Sequence, residues 1–479
     1  WKMTPAARRP PVDRSVIIVL ADGARSDLIE SARQTERLPA IRRLIDEGGA
    51  YTITSTFPSV TGPAYTPFLM GRYPGPVGLP GLRWYDRSRR SARLPGHARS
   101  YVGHQGRHVD SDIDRSVPTI FELVSSTVAA RSVITRGVPK LDRIGRGIRF
   151  IGRTALIHFS GNVTGSLAID REIARQAITA IRLKDPELAF VVLFGIDKTS
   201  HSVGHRGAEV EQAMSIVDDT VAQLRADAER AGRWDRTHLW IVSDHGHTSV
   251  ESHDELSAFI RRLGFRVISH PWASRPFGEV AVMVSGNSMA HIYIDLSKRT
   301  RQWWPSLADR WKVIPGALLA RESVDLMILP KAPGACEVHG RGRGQALMGW
   351  KNGLISYQPV TGDPLGIGAH ENVNERIAYD LTRQTEYPDS LVQIAAIADS
   401  PRSGEIILSA ARGWDFRERY EPIPHVSSHG ALHRDHMLVP LIVNRPVGGT
   451  PRRTVDIMPS ALAALGIEPP KGLDGVSFV

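Results

Sequence analysis

Four short runs concentrate carboxylates and imidazoles where they could act together: Asp22, Asp197-Lys-Thr-Ser-His201, Ser243-Asp244-His245-Gly246 and Ser428-His429-Gly430. The 479 residues contain a single cysteine, Cys336, so neither an internal disulfide nor a thiolate-built zinc site is available. Any metal must be held by His, Asp and Glu, and eighteen histidines make that possible. Two such sites about 4 Å apart would clamp a phosphoryl group from both sides, one activating the nucleophile and the other the leaving oxygen.

The elements that must position these groups read as an α/β chain. Ser15-Val-Ile-Ile-Val-Leu20 is an apolar, β-branched run of the kind buried on both faces of a parallel sheet, and Asp22-Gly23 falls at its end. Ala189–Phe194 and His238–Val242 read as two more such strands, each followed at once by a candidate cluster. Between them Val210, Met214, Val217, Val221 and Leu224 recur at helical spacing, predicting a helix that ends near Gly232. This is a strand, helix, strand unit with chemistry at both strand ends, where open α/β sheets place their sites. Pro39–Glu47 predicts a short helix, His291–Ile294, Glu405–Leu408 and Leu438–Val443 predict strands, and Arg453–Leu465 predicts a closing helix.

The remaining segments break that rhythm. Residues 1–14, rich in Pro and Arg, read as a flexible lead-in, and residues 86–112, with Arg87, Arg89, Arg90, Arg93, Arg99 and Arg107, as a basic loop. Residues 250–428 mix short helices and strands with many Gly and Pro and read as an insertion or cap that includes part of the core. Residues 15–249 and 429–479 form the expected catalytic core. Gly340-Arg-Gly-Arg-Gly344 fits neither the dinucleotide nor the P-loop glycine spacing and reads as a plain loop.

Composition excludes disordered, collagen-like and coiled-coil classes, with 42% hydrophobic and 23% charged residues. The net charge of +10 favours anionic partners: phosphorylated small molecules, lipid-derived phosphates or nucleic acid. No nucleic-acid module is recognisable, and no apolar run reaches the length of a transmembrane segment. With Met3 as the natural start the protein is expected in the cytoplasm; with a removed upstream leader it is expected to be periplasmic or secreted.

Pro58-Ser-Val-Thr61-Gly-Pro-Ala-Tyr-Thr-Pro-Phe-Leu-Met-Gly71-Arg-Tyr-Pro74 resembles the nucleophile segment of the alkaline phosphatase superfamily, in its nucleotide pyrophosphatase/phosphodiesterase branch. Counting ten residues back from Gly71 selects Thr61 over Thr56, although Thr56-Phe-Pro mimics another form of the motif. Asp197 with His201 and Gly204 resembles the Asp-x-x-x-His-x-x-Gly element of that family, Asp244-His245-Gly246 its Ser-Asp-His-Gly element, and His429-Gly430 its last ligand. The resemblance implies a three-layer α/β sandwich around a mostly parallel sheet. It further implies two divalent ions, expected to be zinc: one on Asp197, His201 and His429, a second on Asp22, Asp244 and His245, with Thr61 between them. The implied activity is metal-dependent hydrolysis of phosphodiester or pyrophosphate bonds through a phospho-threonine.

Departures from the family matter as much. Where the branch often has an Asn, twenty-one residues after the nucleophile, this chain has Leu82, which cannot stabilise transition-state charge. Arg83 or an arginine of the basic loop is the expected replacement, and Tyr65 a second candidate contact to substrate. Gly62 and Val192 occupy the places of base-stacking aromatics, which argues against a nucleotide, although Tyr65, Trp84 or Tyr85 could substitute. Thr61 and Tyr65 also depart from the sulfatase segment in its two defining positions. His205, His247, His433 and His436 are expected beside the ligands, with His247 or His436 able to recruit another ion. A phosphomonoesterase or phosphonate hydrolase on the same frame is the alternative activity. A non-catalytic binder of anionic lipid or nucleic acid is the alternative of another class.

Overall fold

A computed structural model describes residues 13–88, 97–102, 104–270, 278–419, 421 and 423–479. All but the last two residues of the expected lead-in, and Arg89, Arg90 and Arg93 of the expected basic loop, lie outside them. The centre is a seven-stranded sheet in the order Gly49–Thr54, Leu438–Val443, Thr237–Val242, Ser15–Ala21, Leu188–Leu193, Thr127–Ala130, Arg143–Ile144. Ser15–Ala21 runs parallel to both of its neighbours, with Val16 opposite Leu188 and Leu20 opposite Val242. Only Leu438–Val443 runs against the rest. Equal register along parallel strands brings Asp22, the residues after Leu193 and the residues after Val242 out at one edge.

Strand alternation explains the three layers. Val16, Ile18 and Leu20 face one core, which the helices Thr66–Met70 and Ile457–Leu465 complete. Ile17, Val19 and Ala21 face the other, closed by Pro39–Glu47, Val163–Lys184 and Ala208–Arg230. The fold is therefore the expected sandwich, with helices on both faces of a mostly parallel sheet.

Residues 250–428 hold more structure than their Gly and Pro content suggests. Nine strands form a second, mostly antiparallel sheet from Val267–Ser269 to His370–Asn374, with Ile406–Ala410 inserted between Met289–Ile294 and Val324–Ala332. The run Gly340 to Gly344 is the turn of a hairpin in this sheet, with Gly340 opposite Gly344 and Gly342 at φ +69. The segment expected as a basic loop is likewise structured in its described part. Ala98–Ser100 pairs with Arg83–Tyr85, and a short helix covers Val109–Asp112. Two of its arginines are not solvated: Arg87 Nη2 donates to Glu405 at 2.8 Å and Arg99 Nη2 to Asp112 at 2.8 Å, all largely buried, whereas Arg107 is exposed.

One buried ion pair ties the closing helix to the second half of the chain. Arg453 donates to both carboxylate oxygens of Asp389, at 2.9 and 2.8 Å, and Asp389 is fully buried. Deleting one partner of such a pair strands the other charge in a low dielectric. Arg453→Ala is expected to destabilise the fold by about 3–5 kcal/mol, read as a lower denaturation midpoint at unchanged denaturant slope.

Candidate metal centre

Asp22 leaves the first strand with its N–H donating to Leu193 O at 3.0 Å. Beyond Leu193 the chain turns into the helix Gly195–Val203, which carries Asp197 and His201 on one face at i and i+4. The turn is fixed by buried Asp170, which accepts from Phe194 N at 3.0 Å and Gly195 N at 2.6 Å. A Cβ at Gly195 would stand 2.6 Å from that carboxylate, so the position needs glycine. Asp244 and His245 follow the third strand, and Gly23 N donates to Asp244 Oδ1 at 3.3 Å. His429 arrives from a distant part of the sequence and is held by Ser59 O at 3.0 Å from its Nδ1.

Two groups of donor atoms result. Asp197, His201, His247 and His429 form one, and Asp22, Asp244 and His245 the other; all seven side chains are buried. The rings of His245 and His429 stack at 3.6 Å, which joins the groups into one centre. Thr61 lies at the second group, its Oγ1 3.3 and 3.2 Å from the Asp22 oxygens and 3.3 Å from His245 Nε2. Thr56 turns away, its hydroxyl donating to Gln393 Oε1 at 3.1 Å.

The donor set fits divalent cations. A carbonyl can only accept, so the Nδ1 atoms of His201 against Ser427 O, His245 against Gly246 O and His429 against Ser59 O each carry a proton. In its neutral form each ring therefore presents an Nε2 lone pair to carboxylate oxygens 3.1 to 3.5 Å away. Lone pairs converging in a buried space require a positive charge between them. Asp244 Oδ2 is buried with no hydrogen-bond partner among the described residues, which points the same way. Without a cation, burial and the Asp22 charge push the Asp244 carboxyl up to about 8. Burial opposes the charged form of His245, but Asp244 and Asp22 outweigh it and lift the ring to about 9.

Other expected site residues fall in instructive places. Tyr65 is fully buried and donates its hydroxyl to Asp22 Oδ2 at 3.0 Å, so it orients that carboxylate. Arg83 is buried, with Nη1 donating to Glu421 Oε1 at 3.0 Å. Glu421 Oε2 in turn accepts from Asn287 Nδ2 at 2.8 Å, and Asn287 bridges to His429. Trp84 and Tyr85 pack edge-on or tilted against Tyr101 and Tyr293 in the interior. His436 accepts at Nδ1 from Ala431 N at 3.0 Å and lies 2.8 Å from Thr248 Oγ1.

Two side chains of the centre, Lys198 and His425, are not indicated by the sequence, and His247, expected beside the ligands, lies within it. His247 Nε2 is 3.0 Å from Asp197 Oδ1, and its position two residues after His245 was the available signal. Lys198, next to a proposed ligand in sequence, sets its Nζ 2.7 Å from Asp197 Oδ2. The His425 ring lies 4.0 Å from that of His201, and nothing in the sequence near it announces this.

The fold has counterparts among known proteins. The human ectonucleotide pyrophosphatase / phosphodiesterase 5 superposes with a TM-score of 0.57 at 14% identity, over 96% of this chain and 97% of that one. Its murine counterpart, an inactive form in complex with AMP, gives 0.55 at 15% identity over 96% and 97%. Phosphonoacetate hydrolase from Sinorhizobium meliloti 1021, in complex with phosphonoformate, gives 0.57 at 14% over 97% and 98%. At these identities the likeness establishes the fold. No described helix is long and apolar enough to cross a membrane. The family model for type I phosphodiesterase / nucleotide pyrophosphatase matches residues 16–435, a span that takes in the Thr61 segment and all four clusters. That match over most of the chain, on a sheet that delivers the clusters to one edge, makes the chain a member of the type I phosphodiesterase / nucleotide pyrophosphatase family, phosphoric ester hydrolases of the alkaline phosphatase superfamily.

Proposed function

We propose that this protein hydrolyses phosphodiester or pyrophosphate bonds of a phosphorylated small molecule or lipid-derived ester, with Thr61 as nucleophile. The observation that carries this reading is the place of Thr61 Oγ1, 3.2 to 3.3 Å from both Asp22 oxygens and from His245 Nε2. Asp197, His201 and His429 would hold one divalent ion and Asp22, Asp244, His245 and Thr61 a second, and a mixed set of imidazoles and carboxylates suits zinc. Such ions, when bound, lower the pKa of a hydroxyl or water and neutralise phosphoryl oxygens. Thr61 attacks phosphorus in line, forming a P–O bond while the bond to the leaving group breaks, and water then cleaves the phospho-threonine. Tyr65 keeps Asp22 oriented through both steps. Residues 15–249 and 429–479 act as the catalytic core, and the sheet within 250–428 flanks the site and shapes which ester enters.

A second reading, hydrolysis of a monoester or phosphonate, is favoured by Lys198, whose ammonium at 2.7 Å from Asp197 Oδ2 supplies positive charge for a further anionic oxygen. Parallel turnover of an aryl phosphodiester and its monoester, with metal content determined on the same preparation, separates the two. Diester preference supports the first reading and monoester preference the second. Arg83 is the proposed replacement for the amide missing at Leu82. Its Nε is buried without a partner among the described residues, although Nη1 is committed to Glu421. Arg83→Ala is expected to lower kcat about 10²–10³-fold, the usual loss for one transition-state donor; unchanged turnover removes Arg83 from this role.

A further inference from the structure

His247 is fully buried, and its surroundings define its proton. Ser427 Oγ donates its hydrogen to Thr248 O at 2.8 Å, so at 3.2 Å from His247 Nδ1 it accepts, and Nδ1 carries the proton. The same oxygen lies 3.4 Å from His205 Nδ1, a second donor to it. His247 Nε2 is then a bare lone pair, and it faces Asp197 Oδ1 at 3.0 Å. Two acceptors face each other at that distance only with a cation to share. His201 and His429 turn their own bare Nε2 atoms toward the same carboxylate oxygen, at 3.1 and 3.4 Å.

A second observation concerns space. Gly23, at φ +78, lies against the His247 ring, and a Cβ there would come within 3.0 Å of its Cδ2 and Nε2. The backbone beside Asp22 is thus built around this imidazole, with its Nε2 edge inward. Ser427 serves twice, its carbonyl fixing the His201 tautomer and its hydroxyl that of His247.

We propose that His247 is a fourth protein ligand of the first metal, which this chain holds with three imidazoles and one carboxylate. The inference rests on the two-ion reading above and deepens it. Catalytic zinc sites keep three protein ligands and an open position. With His247 as a fourth donor this ion would be less open to substrate than such a site and would be held more tightly than its neighbour.

The test uses the full chain and the metal alone. Zinc affinity is measured by competition with graded chelators, and the imidazole count by X-ray absorption, on the wild type, His247→Ala, His247→Gln and Ser427→Ala. Loss of an outer hydrogen-bond partner typically weakens metal binding 10–100-fold. Ser427→Ala is expected in that range for one of the two ions, and both His247 variants beyond about 100-fold, with one imidazole fewer per chain. Equal thermal midpoints in excess chelator for wild type and variants confirm intact folding. Unchanged affinity and imidazole count in both His247 variants overturn the proposal while the two-ion reading stands, provided the wild type binds two ions and its diester turnover requires Thr61. A wild type that binds no ion overturns both.

Discussion

Thr61→Ala is expected to lower kcat for an aryl phosphodiester by at least about a thousand-fold, which is about 4 kcal/mol of transition-state stabilisation. Loss of a nucleophile that acts together with its activating groups removes most of the catalytic advantage at once, because the remaining groups then have nothing to activate. Thr61 Oγ1 is the hydroxyl at contact distance from both Asp22 and His245. Thr61→Ser, which keeps the hydroxyl, is expected to retain most of the activity. Thr56→Ala is the informative control. Its hydroxyl is spent on Gln393 inside the fold, so turnover should stay within a few-fold while stability falls by about 1 kcal/mol. A Thr61→Ala enzyme with near wild-type turnover would remove the phospho-threonine, and a collapse in Thr56→Ala at unchanged folding would move the nucleophile.

What the sequence revealed follows from which interactions are local. Asp22, Asp197 and Asp244 were legible because each closely follows a run of buried residues, and such runs announce parallel strands without any knowledge of their partners. Thr61 was legible through its distance to Gly71. That glycine is required by structure: at φ +59 it ends the helix Thr66–Met70, and a Cβ there would press on Leu473 and Met458. The pairing of the clusters was not readable from any one of them, since the residues of the whole second sheet lie between His245 and His429 in sequence. It came from order and spacing matched to a family.

The unread parts depend on long-range partners. Arg87 and Arg99 look like solvated charges in a glycine-rich stretch until Glu405 and Asp112 are seen beside them. Gly344–Lys351 and Leu354–Gly362 face solvent on much of their length, so their hydrophobic alternation is weak and they read as irregular. His247 looks like a neighbour of a ligand until Ser427, 180 residues on, assigns its proton. Tyr65 was expected to meet substrate, yet an aromatic on a turn gives no hint that its hydroxyl is directed inward to Asp22.

Removing metal is expected to abolish turnover and to lower thermal stability together. Asp22, Asp197 and Asp244 are each wholly buried, and beside them four histidines turn ring nitrogens to a common space. Ions at that place offset carboxylate repulsion that the fold otherwise bears alone, so binding stabilises the native state by mass action. Each ion at a thousand times its Kd contributes about 4 kcal/mol. Dialysis against a strong chelator should therefore lower the thermal midpoint, with turnover falling in proportion to residual metal. Zinc or cobalt should restore both, because imidazole donors suit these ions, whereas magnesium, which demands oxygen donors and keeps its waters, should restore neither. Full diester turnover in a metal-free preparation would refute the two-ion reading. Restoration by magnesium alone would show that the histidines are not the ligands, since an ion of that preference would be held by Asp22 and Asp244 and would leave the cluster of His201, His247 and His429 without a task.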